Sequence, residues 1–300
     1  MRTMRSIPLT LMIALAALPG GAAQAQATSE QRVERKIAID PDASIRIYNL
    51  NGSVRVEGWD RDTISVVATI GDPLKNRFFF GGGAQGVKMG IESPMELDQA
   101  PAHLVVKVPT RARLWIKAAT ATITLSGLEG GVDVSSTSGN IQFDGNPDQL
   151  NLETMDGSIN ITATGPWIRA KTASGTITLR GSGEDVGATT VSGDITLLSS
   201  GMRRLRMETV SGRVNFSGPL ARDGALSAES HSGPVDLLLS ADLAAEFDLT
   251  TYQGTISNGF APERRPLRQG EGQELHFTVQ PGTANVIVRT FKGPIFLRKK

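Results

Sequence analysis

The string Ser-Gly-x-Ile/Val-x-apolar recurs from one end of this chain to the other, and a fixed internal period constrains a fold more tightly than length or composition can. Two copies are Ser138-Gly139-Asn140-Ile141-Gln142-Phe143 and Ser174-Gly175-Thr176-Ile177-Thr178-Leu179. The glycine stands at Gly52, Gly139, Gly157, Gly175, Gly193, Gly212, Gly233, Gly254 and Gly293, with Ala121 in its place in one degenerate copy. From Ala121 onward it advances by 18, 18, 18, 18, 19, 21, 21 and 39 residues, the last step being two units with a loop inside. Seven and five residues before it, and two and four after it, 39 of the 40 sites are apolar; Asn258 alone departs.

Period-two spacing on both sides of the glycine predicts two short strands per unit, each with one buried face. Three residues before the glycine stands Ser136, Thr154, Thr172, Thr190, Thr209, Ser230, Thr251 or Thr290. By parity this hydroxyl points inward at a corner, where it can satisfy backbone groups that the bend frees from the sheet. The glycine allows positive φ or close backbone approach there. Two architectures accommodate such a unit. One is a β-solenoid of about 18–21-residue rungs with Ser/Asp-Gly corners, successive rungs stacking in parallel. The other is an antiparallel barrel or propeller of repeated hairpins. The column three residues after the glycine favours the solenoid. It reads Gln142, Asn160, Thr178, Thr196, Asn215, Asp236, Ser257, an outward polar ladder suited to stacked rungs. The expectation is an all-β, single-domain solenoid of about ten to thirteen rungs, on the order of 50–60 Å long.

The amino terminus does not share the repeat. Arg2 and Arg5 precede an apolar run from Ile7 to Leu18 and the small-residue stretch Ala23-Gln24-Ala25-Gln26-Ala27. This is the layout of a secretory signal peptide over residues 1–27, cleaved after Ala25 or Ala27. Residues 28–39 then lead into a repeat domain over 40–300, with loop insertions near 71–100 and 259–272. Removing Arg2 and Arg5 leaves 29 of the 31 basic residues against 30 acidic ones, a balance of −1 that argues against nucleic acid as a partner. The absence of cysteine excludes disulfides, thiolate metal sites and Cys nucleophiles. His103, His231 and His276 lie far apart in sequence. No catalytic residue, metal ligand or cofactor site is assigned.

Departures from the repeat supply the candidate contacts. Phe78, Phe79 and Phe80 beside Gly81-Gly82-Gly83 read either as an apolar tip that touches a partner or as a flap over an open solenoid end. Arg264 and Arg265 lie in a basic loop that could meet an anionic envelope polymer or remain solvated. Arg298-Lys299-Lys300 resembles a charged terminus that discourages strand pairing at an edge. Among outward columns, Glu153 and Lys171 are spaced for a cross-rung ion pair, and Glu208 and Glu229 for a carboxylate pair.

Over roughly residues 40–298 the repeated Thr-x-Ser-Gly-x-Ile-x-Leu units, following a signal peptide, resemble the bacterial envelope family known as "putative adhesin". The resemblance implies a β-solenoid and supplies no catalytic residues. The expected function is an exported, non-catalytic envelope protein in the periplasm, on the cell surface or secreted. It would act as an adhesin-like scaffold or binding module for an envelope protein or surface glycan. A self-assembling solenoid like the bactofilins would instead have bare apolar ends and associate through them. A carbohydrate-active enzyme would set Glu208 and Glu229 in a cleft.

Overall fold

The computed structural model describes residues 30–73, 76–92, 100–260, 267–269, 272–280 and 282–300. The segments read as a signal peptide and as the Arg264–Arg265 loop lie outside the described residues. Among the described residues the regular elements are 24 strands joined in one hydrogen-bonded sheet.

The strands form two parallel ladders, one before the corner and one after it. After the corner, Ile141, Ile159, Ile177 and Ile195 stand in register, each 18 residues from the last. Before it, Leu114, Val132, Leu150, Ile168 and Val186 do the same. The solenoid is therefore the architecture, and the hairpin barrel or propeller is not, because partners along the repeat run parallel. All 39 apolar repeat positions are buried, and they belong to one continuous core. Each strand turns alternate side chains inward, so the two ladders present their apolar faces to the same interior.

The corner shows why glycine stands there. A Cβ on the corner glycines from Gly139 to Gly293 would lie 1.7–2.3 Å from a carbonyl oxygen of the adjoining rung. Of the nine corner glycines only Gly52 has positive φ, at 104°, so close stacking is the usual requirement. The hydroxyl three residues earlier ties the corner together. Thr172 Oγ1 accepts from the Gly175 amide at 3.1 Å and reaches the Gly157 carbonyl of the preceding rung at 3.0 Å. The same amide-to-hydroxyl bond forms at Gly139, Gly157, Gly193, Gly212 and Gly254. In the Gly52 rung Asn49 takes this place, its amide nitrogen donating to the Ala102 carbonyl at 2.9 Å.

Rung order differs from chain order at both ends. The Gly293 rung lies between those of Gly233 and Gly254: Ala284–Thr290 pairs with both Leu220–Ser230 and Ala245–Thr251. The glycine column follows the same path, since the Gly254 Cβ would meet the Gly293 carbonyl and the Gly293 Cβ that of Gly233. At the other end, Ser44–Asn49 lies between Gly86–Glu92 and Arg113–Ala118. Each end thus has an outermost rung, and the rung nearest the chain terminus is inserted inside it. The final strand Ile295–Lys299 is consequently bounded on both sides. Arg298 pairs with Asp236, and Lys299 Nζ lies 5.2 Å from the Phe260 ring centre. These cations do not guard an edge, as the sequence suggested; they sit inside the ladder.

Antiparallel strands finish both ends. Thr63–Ile70 runs antiparallel to Ala102–Pro109, and Gln31–Ala38 antiparallel to Thr63–Ile70. Arg77–Gly83 covers Gly86–Glu92, and at the far end Gly272–Val279 covers Ala245–Thr251. Much of the first expected loop insertion is therefore strand, and part of the second, because these segments pair with the outermost rungs.

Candidate functional site

Two residues before each corner the side chain points out of the solenoid, where a polar residue is the ordinary choice. In spatial order this column reads Thr137, Met155, Ala173, Val191, Val210, His231, Phe291, Tyr252. Met155 is 58% exposed, Val191 53%, Val210 47%, Phe291 39% and Tyr252 63%. Exposed apolar side chains scattered singly need no explanation, whereas a row of them along one ridge marks a contact surface. The signal is present in the sequence, apolar residues at outward parity, but the outward columns singled out there are those carrying polar and charged residues, and this column is not among them.

At its aromatic end the ridge depends on the exchanged rung. Insertion of the Gly293 rung brings Phe291 between His231 and Tyr252, which are otherwise on neighbouring units. His231 and Phe291 stack with centroids 5.0 Å apart and planes 9° apart, and Tyr252 lies 5.8 Å from Phe291. A shallow groove of about 470 Å³ runs beside these rings and includes Glu208, Glu229 and Arg289 in its lining.

The structure sets Glu208 and Glu229 side by side in register, and Arg289 beyond Glu229. Arg206 pairs with Glu208. The Arg206 guanidinium is held above its ordinary range by the hydrogen bond to Glu208, the Glu208 charge and the more distant Glu229 charge. The two carboxylates stand side by side along a shallow, open groove, with Arg206 and Arg289 beside them, rather than in an enclosed cleft. Lys171 and Glu153 form the cross-rung pair, 3.1 Å apart.

Phe78, Phe79 and Phe80 lie on the strand Arg77–Gly83, and strand alternation divides them. Phe78 and Phe80 pack against the core at the solenoid end, as a flap would. Phe79 faces outward with Tyr48, their centroids 6.3 Å apart. The three histidines remain separate: His103 Nδ1 is 2.8 Å from Ser53 Oγ, His231 stacks on Phe291, and His276 lies 3.2 Å from Glu246. Among the described residues no group of three or more His, Cys, Asp or Glu side chains is placed to hold a metal ion.

A family model described as Toastrack DUF4097 matches residues 43–295. No curated protein matches the chain. Among solved structures, a "putative lipid binding protein" from Parabacteroides distasonis is 12% identical, with 89% of this chain and 97% of that one covered and a TM-score of 0.53. A "putative adhesin" from Bacteroides fragilis is 10% identical over 90% of this chain and 98% of that one, TM-score 0.45. A "putative cell adhesion protein" from Clostridium sporogenes is 11% identical over 90% and 100%, TM-score 0.27. At such identities likeness speaks to fold alone, and the Parabacteroides distasonis structure carries that point.

Proposed function

Because the chain belongs to the Toastrack DUF4097 family, we propose that it is an exported, non-catalytic binding scaffold of the cell envelope whose contact surface is the corner ridge. The observation that carries this reading is the row Met155, Val191, Val210, Phe291 and Tyr252, all exposed on consecutive or near-consecutive rungs. A repeat solenoid holds such a row rigid, because each rung is fixed by its two neighbours. The partner is an envelope protein with a complementary apolar strip. The charge-paired surroundings of Glu208 and Glu229 fit a polar rim better than an acid/base pair. The Arg2/Arg5, apolar and small-residue segments supply the export signal.

Two measurements test the proposal. Labelled wild-type protein is titrated onto envelope fractions of its own cells beside the triple variant Val191→Ser, Val210→Ser, Tyr252→Ser. Removal of three exposed apolar side chains is expected to weaken retention about tenfold or more. Equal retention would refute the ridge. Mass spectrometry of the mature chain is expected to find it beginning after Ala25 or Ala27 in a non-cytosolic fraction; an intact Met1 chain in the cytosol would refute export.

A further inference from the structure

At the opposite end from the ridge's aromatic trio, the outer face of the pre-corner ladder has a composition found on no other described rungs of that ladder. Four adjacent strands contribute to it: Arg77–Gly83, Gly86–Glu92, Ser44–Asn49 and Arg113–Ala118, in that spatial order. Their outward positions carry the rings Phe79, Tyr48 and Trp115. Tyr48 is the middle ring, 6.3 Å from Phe79 and 5.2 Å from Trp115.

The same positions are strongly cationic. Arg77, Lys88, Arg46, Arg113 and Lys117 point outward here. Their carboxylate neighbours among the described residues are Asp42, which pairs with Arg113, and Glu92, which stands opposite Arg77 in register. Among the described residues, five cations against two carboxylates leave an excess of three here, whereas residues 40–300 as a whole carry 26 basic against 28 acidic residues. Arg46, Lys88 and Lys117 have no carboxylate partner among the described residues. Lys88 Nζ instead lies 5.0 Å from the Tyr48 ring centre and 5.7 Å from that of Phe79. From the next rung onward, acids return to this face: Asp133, Glu153 and Glu208 stand among the bases.

The floor beside these groups is glycine. At Gly90 a Cβ would lie 2.3 Å from the Tyr48 carbonyl oxygen and 2.7 Å from the Tyr48 Cβ, so glycine lets these two strands lie close. At Gly81 and Gly83 nothing lies within 4 Å of where a Cβ would be, which leaves the backbone open to approach from outside. Glycine inside a strand marks a place where a ligand or another backbone comes close. A groove of about 530 Å³ is lined by Ser44, Arg46, Phe79 and Lys88 together with Gly81, Gly82 and Gly86.

We infer that this face binds an acidic polysaccharide, a chain of sugar rings bearing carboxylate or phosphate. The rings of Phe79, Tyr48 and Trp115 offer apolar faces to the C–H faces of pyranoses. Arg46, Lys88 and Lys117, without a carboxylate partner among the described residues, can take the anionic substituents, with Arg suited to bidentate contact. An open strip along four strands suits an extended polymer, whereas a small ligand is held in a concave site that encloses most of its surface. Insertion into a lipid bilayer would call for protruding apolar side chains, but the rings here lie half-buried against one another and the floor carries no side chain. The surface is separate from the corner ridge, so neither proposal depends on the other.

The test uses the purified mature protein and oligogalacturonate as probe, followed by calorimetry at low and at moderate salt. Binding is expected, weakening as salt rises. The exposed double variant Arg46→Gln, Lys88→Gln should bind about tenfold more weakly. Trp115→Ala should weaken binding by a similar factor while leaving the salt dependence in place. Arg222→Gln, an exposed cation on the remote strand Leu220–Ser230, should bind as wild type. Absence of wild-type binding would overturn the inference. So would equal binding of neutral dextran or of polyglutamate, since each lacks one half of the recognised chemistry. Binding to phosphatidylglycerol vesicles that the Gln variant abolishes, without binding to the oligogalacturonate, would assign the face to membranes and likewise overturn it. The Gln variant keeps the test decisive should Trp115→Ala fail to fold.

Discussion

Replacing the corner hydroxyl of one rung with a methyl group should expose how much each corner contributes to the solenoid. Thr172→Val keeps volume and β-branching, so it changes hydrogen bonding and little else. Thr172 is 5% exposed, and water has no ready access to the groups it serves. Its oxygen accepts from the Gly175 amide at 3.1 Å. Its single proton can go to the carbonyl of Met155, 3.1 Å away, or of Gly157, 3.0 Å away. Met155 already accepts from the amides of Ala173 and Ser174, so the Gly157 carbonyl is the one in need. Valine therefore leaves one buried N–H and one buried C=O without partners. An unsatisfied buried donor or acceptor costs about 1–3 kcal/mol, and two of them at this corner give an expected loss of about 2–4 kcal/mol. Ser230 provides the control, because it occupies the equivalent place where the exchanged rung meets its neighbour and its buried Oγ has no partner. Ser230→Ala removes an unpaired polar atom and should range from neutral to about 1 kcal/mol stabilising. Urea unfolding followed by far-ultraviolet circular dichroism compares the midpoints, provided the slopes agree with wild type. The reasoning fails if Thr172→Val lies within about 0.5 kcal/mol of wild type, or if Ser230→Ala costs as much as Thr172→Val.

Two further outcomes follow from the same stacking. Gly175→Ala would place a Cβ 1.9 Å from the Gly157 carbonyl oxygen, against backbone that cannot yield, and should cost about 3 kcal/mol or more, whereas Gly83→Ala, in open space, should stay within about 0.5 kcal/mol; thermal melts of both would show it, and similar melting points would contradict the close-approach argument. Phe277 stacks on Phe247 at 4.7 Å and fixes the antiparallel strand over the far end, so Phe277→Ala should lose about 3–5 kcal/mol and uncover the Ala245–Thr251 strand; light scattering should then detect concentration-dependent association beyond wild type, and unchanged stability and size would show that this strand is not held by that stack.

Much of this protein could be read from its sequence because the determining relations are local or strictly periodic. Leu150, Leu152, Ile159 and Ile161 announce their burial through period-two spacing around Gly157, and Thr154 announces its corner by parity. Parallel stacking was indicated by the repeated column identities, and the register of Ile141, Ile159 and Ile177 realises it. The sequence also held the outward apolar column, although the division of Phe78 and Phe80 from Phe79 only becomes meaningful once strand Arg77–Gly83 has a partner. What the repeat could not specify is which rung lies on which. Every unit presents nearly the same inward pattern and the same glycine corner, so rungs are interchangeable as neighbours. Their order at the ends is set by the antiparallel strands that must cover the outermost rungs. That tertiary choice places Phe291 between His231 and Tyr252, and Tyr48 between Phe79 and Trp115. Period and column identities together determined the solenoid and its core; the aromatic end of the ridge and the cationic face depend on strand exchanges at the two ends, which bring together residues that the period keeps apart.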